Sequence, residues 1–209
     1  MGSPPLTSAL AGEVGSARRA PPGGGARADL AVEVREVDLS TAPFVADAMG
    51  PEGDLVALRL ARGCRCFGAW VGDEVAGYGW LSTKPEWIGE LELEITPGVD
   101  EGYIWNCFTL EQHRRRGVLR GLLAQIRARA RAEAFSRLWI GSVAIPAEKA
   151  FGLGGFTPAL VFASEVIVGY RWLQVRPAVG ADPALVAAAH QAIAVPPGRF
   201  LRLSRPRRH

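Results

Sequence analysis

The chain has 209 residues, of which 48% are hydrophobic, and a formal net charge of +3 at pH 7. This length suits one domain with tails, and no apolar stretch is long enough to span a bilayer, so we expect a soluble, cytoplasmic protein. Acidic residues dominate residues 29–111, whereas Glu133 is the sole acid among the many arginines of residues 114–137. A chain divided in this way favours an anionic ligand near its middle over a uniformly basic nucleic-acid surface.

Three regions follow from the composition. Residues 1–28 contain Pro, Gly and paired arginines without a hydrophobic period, which predicts a disordered tail. Residues 29–178 form the predicted domain, and residues 179–209 hold a helix and a basic tail. In chain order the patterns predict strands at residues 32–37, 64–71, 75–82, 90–95, 103–110 and 137–143 and closing strands across residues 159–175, with helices at residues 41–49 and 55–61, after residue 117, and at residues 182–194. The predicted architecture is a mixed sheet flanked by helices.

The middle of the chain is the most informative part. The strand at residues 103–110 runs into an arginine-rich turn and then, after Gly117, into an amphipathic helix. A phosphate against the first turn of that helix would meet unpaired backbone N–H groups, the positive end of the helix dipole and guanidinium groups. Because Gly117 has no Cβ, the backbone can come close to the ligand. This layout predicts a diphosphate site.

The residues of this turn resemble a known family. Arg114-Arg-Arg-Gly-Val-Leu119 resembles the acyl-CoA pyrophosphate loop of the GCN5-related N-acetyltransferases (GNAT), whose usual form is Arg/Gln-x-x-Gly-x-Gly/Ala. Arg114 and Gly117 match this form, while Leu119 stands where the second small residue is expected. Downstream, Ala150-Phe-Gly-Leu-Gly-Gly-Phe156 resembles the short helix and Gly-Phe after the family's fifth strand. The resemblance covers residues 32–170.

The resemblance implies an α/β (α+β) fold, with a mixed, mostly antiparallel central sheet flanked by helices and a splayed strand pair that holds acyl-CoA. It also implies acetyl-CoA as co-substrate and an amine of a small molecule or protein as acceptor. The acetyl and pantetheine parts would add to the main chain of one strand, and the pyrophosphate would bind the turn. The implied cofactor-binding residues are Phe108, Thr109, Leu110, Arg114, Arg115, Arg116, Gly117, Val118, Leu119 and, nearby, Arg120.

Carboxylates on one predicted strand pair are the candidates for a general base. Glu94 and Glu101 lie on or beside the strands that the resemblance places next to the acetyl group, and Glu92 is a third candidate. A positioned carboxylate helps a protonated amine to lose its proton. The alternative is that Glu90, Glu92 and Glu94 form one solvated face of a strand.

Two departures from the family pattern leave other functions open. Phe151 stands where the family's usual tyrosine protonates the departing CoA thiolate, and Ala144 replaces the asparagine that often precedes the short helix. A non-catalytic acyl-CoA-binding module is therefore a second hypothesis. A third, nucleic-acid binding through the arginines of residues 114–131 and the C-terminal arginines, is disfavoured because no base-stacking aromatic residues interleave with them.

Cysteine and histidine do not indicate a metal site. Cys64, Cys66 and Cys107 are odd in number and lack the ligand spacing of zinc, so we interpret them as small buried apolar residues. His113 precedes the predicted helix, where it either touches the phosphates or is solvated.

Overall fold

The computed structural model describes residues 6–14, 32–142, 152 and 155–204. In chain order their strands are β1 Leu6–Val14, β2 Glu33–Glu36, β3 Arg65–Val71, β4 Glu74–Ser82, β5 Glu86–Ile88, β6 Leu93–Ile95, β7 Glu101–Thr109, β8 Arg137–Ser142, β9 Thr157–Ile167, β10 Tyr170–Pro177 and β11 Gly198–Leu203. The α-helices with described bounds are α1 Ala42–Met49, α2 Leu55–Ala61, α3 Val118–Ala132 and α4 Pro183–Ile193. Two 3₁₀ turns, Gly50–Glu52 and Glu111–His113, follow α1 and β7.

The chain forms two compact units. The first unit comprises Val14–Ser82 and Ile104–Ser136, and the second comprises Met1–Glu13, Thr83–Tyr103 and Arg137–His209. Each combines antiparallel strands with helices, as the sequence predicts for the α+β class.

The first unit contains strands in the order β7-β4-β3-β2. The predicted hairpin of β3 and β4 is confirmed: the two strands are antiparallel, and the turn falls at Gly72 and Asp73. Gly72 has φ 61°, a conformation that costs glycine little. The predicted strand at residues 32–37 is confirmed as β2, which pairs with the outer edge of β3.

Helices cover both faces of this sheet. Tyr78 and Trp80 of β4 belong to a buried cluster with α1 and α2 residues that include Val45 and Val56. Gly77, the residue before Tyr78, points the opposite way, and an added Cβ there would meet Val118 of α3 at 2.9 Å. The helices at residues 41–49 and 55–61 and the helix after residue 117 are thus confirmed, and β4 is buried on both sides.

An ion-pair network joins the end of α3 to the sheet. Arg65 of β3 contacts Glu36 of β2 and Glu133 beyond α3, each at 2.6 Å, and Glu133 also pairs with Arg129 at 2.6 Å. The hydrogen bond from Arg65 lowers the pKa of the Glu36 carboxyl and raises the pKa of the arginine. Because one guanidinium is shared by two carboxylates, the network holds α3 against β2 and β3.

The second unit contains strands in the order β11-β10-β9-β1-β8. It includes a strand that the sequence did not predict, β1, which pairs antiparallel with β9 from Leu6 opposite Ser164 to Gly12 opposite Thr157. The prediction that residues 1–28 form a disordered tail is therefore wrong for residues 6–14. Backbone hydrogen bonds to β9 stabilise this segment, and such pairing does not require the apolar pattern that the sequence lacks there.

The C-terminal part also contains a strand that the sequence did not indicate. Residues 198–203, which the sequence assigned to a basic tail, form β11 and pair with β10 from Tyr170 opposite Leu203 to Val175 opposite Gly198. The predicted helix at residues 182–194 is confirmed as α4. Its N-cap is Asp182, whose carboxylate accepts hydrogen bonds from the N–H groups of Ala184 and Leu185 at 2.7 and 3.2 Å.

The predicted acidic strand at residues 90–95 is confirmed only at its end. β6 comprises Leu93–Ile95 and pairs with β5, while residues 89–92 form a turn in which Glu92 has φ 50°. The predicted strands at residues 103–110, 137–143 and 159–175 correspond to β7, β8 and the pair β9 and β10. The short helix expected after residue 150 lies for the most part outside the described residues.

Candidate functional site

The connection from β7 to α3 lies entirely in the first unit. At the end of β7 the N–H of Leu110 donates to the carbonyl of Ala76 on β4 at 3.0 Å. After the 3₁₀ turn, Arg114 is extended, Arg115 has φ 65° and Gly117 has φ 80°. A left-handed conformation at a non-glycine residue such as Arg115 is uncommon, and it turns the backbone sharply just before α3 begins.

The start of α3 is open to a ligand. Gly117 is the residue before the helix and, having no side chain, does not cap the N–H groups of the first turn. An added Cβ on Gly117 would meet one atom, Nη2 of Arg120 at 3.7 Å. The Arg114 side chain is 53% exposed, and Arg115 and Arg116 are exposed as well. Uncapped N–H groups, the helix dipole and nearby guanidinium groups together suit a diphosphate.

Glu74 at the start of β4 anchors the 3₁₀ turn. Its Oε1 accepts a hydrogen bond from Gln112 Nε2 at 3.0 Å and lies 3.3 Å from His113 Nε2. The hydrogen bond from Gln112, followed by the close approach of His113, lowers the pKa of the Glu74 carboxyl. His113 is 4% exposed, so the expectation that it is solvated is wrong.

Gly77 is a residue that the sequence analysis missed. An added Cβ there would lie 2.6 Å from the carbonyl oxygen of Phe108 and 2.9 Å from Val118 Cγ1. Real Cβ atoms do not approach backbone so closely, so glycine is required for the end of β7 and the start of α3 to pack on β4. The signal in the sequence was glycine at positions 77 and 79, on one face of a strand otherwise rich in large apolar residues.

The strand residues beside the turn are partly open. Phe108 is 42% exposed, and its ring stacks on Tyr78 with centroids 5.8 Å apart. Thr109 and Leu110 are half-buried, as is Leu119, whereas Val118 is buried under the turn. All ten predicted cofactor-binding residues therefore fall in one continuous stretch of the first unit, residues 108–120.

The two candidate bases belong to the second unit and have different surroundings. Glu94 is exposed on β6, opposite Trp87 of β5 in register. The Glu101 side chain is 12% exposed and paired with Arg137, and its Oε2 accepts hydrogen bonds from Trp139 Nε1 at 2.7 Å and from the Gly98 N–H at 3.1 Å. Glu101 is thus engaged with three donors, while Glu94 makes no ion pair or hydrogen bond to the described residues.

The third candidate, Glu92, has a structural role. Its Oε1 lies 2.8 Å from Arg171 Nη2 and accepts a hydrogen bond from Ser204 Oγ at 2.7 Å, and its side chain is 5% exposed. Arg202 donates to the main-chain carbonyls of Leu91 and Glu92 at 2.6 and 2.7 Å. The interpretation of Glu90, Glu92 and Glu94 as one solvated face is wrong, because the turn at Glu92 directs its carboxylate inward.

The remaining candidates from the sequence are the cysteines and the two positions that differ from the family pattern. Cys64 and Cys66 are buried free thiols, as predicted, and burial raises the pKa of Cys66 and raises that of Cys107 to about 12. Within the described residues no group of three His, Cys, Asp or Glu side chains is placed to hold a metal, and no helix there is long and apolar enough to cross a membrane. Ala144 and Phe151, which differ from the family pattern, lie outside the described residues.

The family is established by a sequence model. The model of the acetyltransferase (GNAT) family matches residues 34–153, which is more than half of the chain. The chain therefore belongs to the GNAT acetyltransferases, a family that uses acetyl-CoA. The match begins within β2, continues beyond β8 and includes the whole connection from β7 to α3. No curated protein sequence matches the chain.

Several solved structures are similar to the chain, and one of them has a TM-score above 0.5. The GCN5-related N-acetyltransferase from Sphaerobacter thermophilus has a TM-score of 0.55 and 12% identity, over 78% of this chain and 51% of that chain. The ribosomal-protein-alanine N-acetyltransferase from Brucella melitensis biovar Abortus 2308 has a TM-score of 0.45 and 20% identity, over 59% and 87% of the two chains. A predicted acetyltransferase from Clostridium acetobutylicum, solved with acetyl-CoA, has a TM-score of 0.43 and 13% identity, over 61% and 90%. At these identities the likeness concerns the fold alone.

Proposed function

We propose that the protein is an N-acetyltransferase that transfers an acetyl group from acetyl-CoA to an amine. The observation that carries the proposal is the left-handed Gly117, φ 80°, at the uncapped start of a 15-residue helix beside exposed arginines. This arrangement offers a diphosphate N–H groups, a helix dipole and guanidinium groups at one place. Membership of the GNAT family supports acyl-CoA as the molecule that carries the diphosphate.

The cofactor contacts are proposed from the family resemblance and the local geometry. The acetyl and pantetheine parts bind the main chain of Phe108, Thr109 and Leu110 at the end of β7. The pyrophosphate binds the backbone and side chains of the turn and the first helical turn, where Arg114 is the main cation and Arg120 is close to Gly117. The complete set of proposed cofactor-binding residues is Phe108, Thr109, Leu110, Arg114, Arg115, Arg116, Gly117, Val118, Leu119 and Arg120.

The reaction is a direct transfer. The neutral amine nitrogen attacks the thioester carbonyl, an N–C bond forms, the C–S bond breaks, the amine loses a proton and the CoA thiolate gains one. An alkylammonium with a pKa of ~10.4 requires roughly 4.6 kcal/mol to become neutral at pH ~7, and a positioned carboxylate can reduce this barrier. The CoA thiol has a pKa of only ~8.5, so water can protonate the thiolate without a tyrosine.

Glu94 is the stronger candidate for the base. Its carboxylate is exposed and has no partner among the described residues, so both oxygens are available to accept a proton. Glu101 already accepts from Arg137, Trp139 and the Gly98 N–H, which leaves its oxygens little capacity for another donor. We therefore propose Glu94 as the base and keep Glu101 as the alternative.

A non-catalytic acyl-CoA-binding module is the second candidate function. Phe151 favours it, because a phenyl ring cannot donate a proton to the departing thiolate. Both functions require the same cofactor site, so they differ only in whether the protein acetylates an acceptor amine.

Two measurements test the proposal. Calorimetric titration of the full chain with acetyl-CoA should show saturable binding, and thiol release measured with a panel of amines and N-terminal peptides should show turnover with some of them. Binding without thiol release across the panel would favour the non-catalytic module. Absence of acetyl-CoA binding would refute both functions.

A further inference from the structure

A polar cluster in the first unit joins three elements next to the proposed cofactor strand. Arg59 of α2 donates from Nη2 to Oε2 of Glu52, the last residue of the 3₁₀ turn after α1, at 3.1 Å. When the side-chain amide of Asn106 on β7 is oriented with its oxygen toward Arg59, that oxygen accepts a hydrogen bond from Arg59 Nη1 at 2.7 Å. Asn106 has φ 43° within a strand, a strained conformation of the kind found at binding sites.

Arg59 is mostly covered by its neighbours. Its guanidinium lies over the Trp105 ring at 4.7 Å and over the Trp80 ring at 5.2 Å, and its side chain is 11% exposed. Two indole faces and the Glu52 carboxylate offset its charge, and two of its donors are already used. Arg59 is therefore a positioning residue, which holds Glu52 and Asn106 and is not itself presented to a ligand.

The Glu52 side chain, by contrast, is exposed to solvent. Its side chain is 58% exposed, and the contact with Arg59 uses one carboxylate oxygen, Oε2. The other oxygen, Oε1, makes no hydrogen bond or ion pair to the part of the chain that the structure describes. The charge of Glu52 acts on Tyr78, whose pKa is raised first by burial and next by this carboxylate. The contact of Oε2 with Arg59 thus holds the carboxylate in place, and Oε1 is left to accept a hydrogen bond from a ligand.

Aromatic residues lie near the arginine that binds this carboxylate: the Trp105 ring lies under the Arg59 guanidinium. Phe108 is 42% exposed, and its ring stacks on Tyr78. Trp105, on the same strand β7, is partly exposed. A fixed carboxylate oxygen beside open aromatic rings attracts an organic cation through a charge-assisted hydrogen bond and through contact with the ring faces. An anionic ligand would be repelled by the same carboxylate.

We propose that Glu52 binds the ammonium group of the acetyl acceptor, with Trp105 and Phe108 contacting its carbon skeleton. The acceptor class is accordingly an organic amine that is protonated in solution and carries an apolar or aromatic group close to the nitrogen. The inference rests on the proposed function, because Trp105 and Asn106 lie on β7 only a few residues before Phe108, Thr109 and Leu110, which are assigned to the acyl chain. Glu52 captures the protonated acceptor; its deprotonation is a later step.

Calorimetry with two matched probes tests this inference on the full chain saturated with CoA. Phenethylamine is a cation at pH 7, and 2-phenylethanol has the same carbon skeleton without the charge. The wild-type protein should bind phenethylamine at least 10-fold more tightly than 2-phenylethanol. Glu52→Gln keeps the shape of the side chain and removes its charge, so it should reduce this preference to less than about 2-fold.

The control variant is Glu33→Gln, which removes the same charge from β2 of the same unit, where the side chain is 69% exposed and pairs with Arg35 at 3.9 Å. It should retain the full preference. Arg59→Lys keeps the positive charge and loses the planar contact, so it should lower the preference while leaving CoA affinity unchanged. Equal binding of the two probes by the wild type, binding of neither, or an undiminished preference in Glu52→Gln would each overturn the inference.

The outcomes separate this inference from the proposed function. If the wild type binds acetyl-CoA and acetylates amines, and Glu52→Gln leaves the preference intact, the assignment of Glu52 is wrong and the acetyltransferase stands. If the wild type binds neither CoA nor acetyl-CoA, the proposed function fails first and the inference fails with it.

Discussion

The two units carry their proposed functional residues in different ways. In the first unit the cofactor contacts occupy one continuous stretch, residues 108–120, which Glu74, Ala76 and Gly77 of β4 hold in place. In the second unit the carboxylates of Glu92, Glu94 and Glu101 are close in sequence, yet two of them are committed to arginines far along the chain. Main-chain binding sites depend on local conformation, whereas the role of a carboxylate depends on which cation folding brings to it.

The first unit gives the largest expected effect. Gly117→Glu should abolish acetyl-CoA binding, because it places a side chain and a negative charge where the phosphate approaches the backbone, at a residue with φ 80°. Calorimetry measures the loss. Gly89→Glu adds the same charge to a turn of the second unit where nothing lies within 4 Å of an added Cβ, and it should bind acetyl-CoA normally. Equal loss in both variants would contradict the assignment.

The second unit gives the next largest effect. If Glu94 is the base, Glu94→Gln should lower kcat by roughly 10²–10⁴-fold with nearly unchanged acetyl-CoA affinity, because a base acts on the transition state. The deficit should shrink at alkaline pH, where the amine loses its proton unaided. Steady-state kinetics on an identified acceptor across pH gives the result. Full activity in both Glu94→Gln and Glu101→Gln would leave water as the carrier of the proton.

Glu101→Gln distinguishes a base from a structural carboxylate. It should lower the free energy of unfolding by about 1–3 kcal/mol, because the partly buried Arg137 loses its ionic partner. Denaturant unfolding measures this difference. Glu94→Gln is the matched control in the same unit and should unfold like the wild type, since the Glu94 carboxylate has no described partner. A rate loss in Glu101→Gln without a stability loss would reverse the two assignments.

Arg114 should matter less than Gly117. Arg114→Ala should weaken acetyl-CoA binding by roughly 1.5–3 kcal/mol, because one charge-assisted hydrogen bond to the pyrophosphate is lost while the backbone contacts stay. Calorimetry at fixed ionic strength gives the difference. Arg129→Ala, at the other end of α3, removes the same charge and should leave the affinity unchanged. An unaltered affinity in both Arg114→Ala and Gly117→Glu would rule out the proposed loop.

Truncation before residue 29 should have the smallest effect on binding. The cofactor contacts lie in the first unit, so acetyl-CoA affinity should stay within about 2-fold, a change of less than ~0.5 kcal/mol. The melting temperature should fall, because β9 loses the antiparallel partner that runs from Leu6 to Gly12. Differential scanning calorimetry measures the shift. An unchanged melting temperature would show that β1 adds little to stability.

The sequence alone indicated most of the regular elements and the cofactor loop. The hairpin of β3 and β4 was predictable because alternating apolar residues flank Gly72-Asp73, and α3 because Val118, Leu122 and Ile126 repeat at helical spacing. The loop was predictable because all its parts are contiguous: a strand, an arginine run, one glycine and a helix. Local spacing determines such features before any tertiary contact forms.

Only the tertiary structure decided the features that depend on distant partners. β1 and β11 are strands because β9 and β10 offer them hydrogen-bonding edges, while neither segment is indicated as a strand by its own residue pattern. Glu92 is buried because Arg171, 79 positions later, neutralises it, and Glu52 is held because Arg59, which lies over the rings of two tryptophans, can reach it. Charge and hydrogen-bond pairs of this kind act through space, and the order of residues along the chain does not encode them in any local pattern.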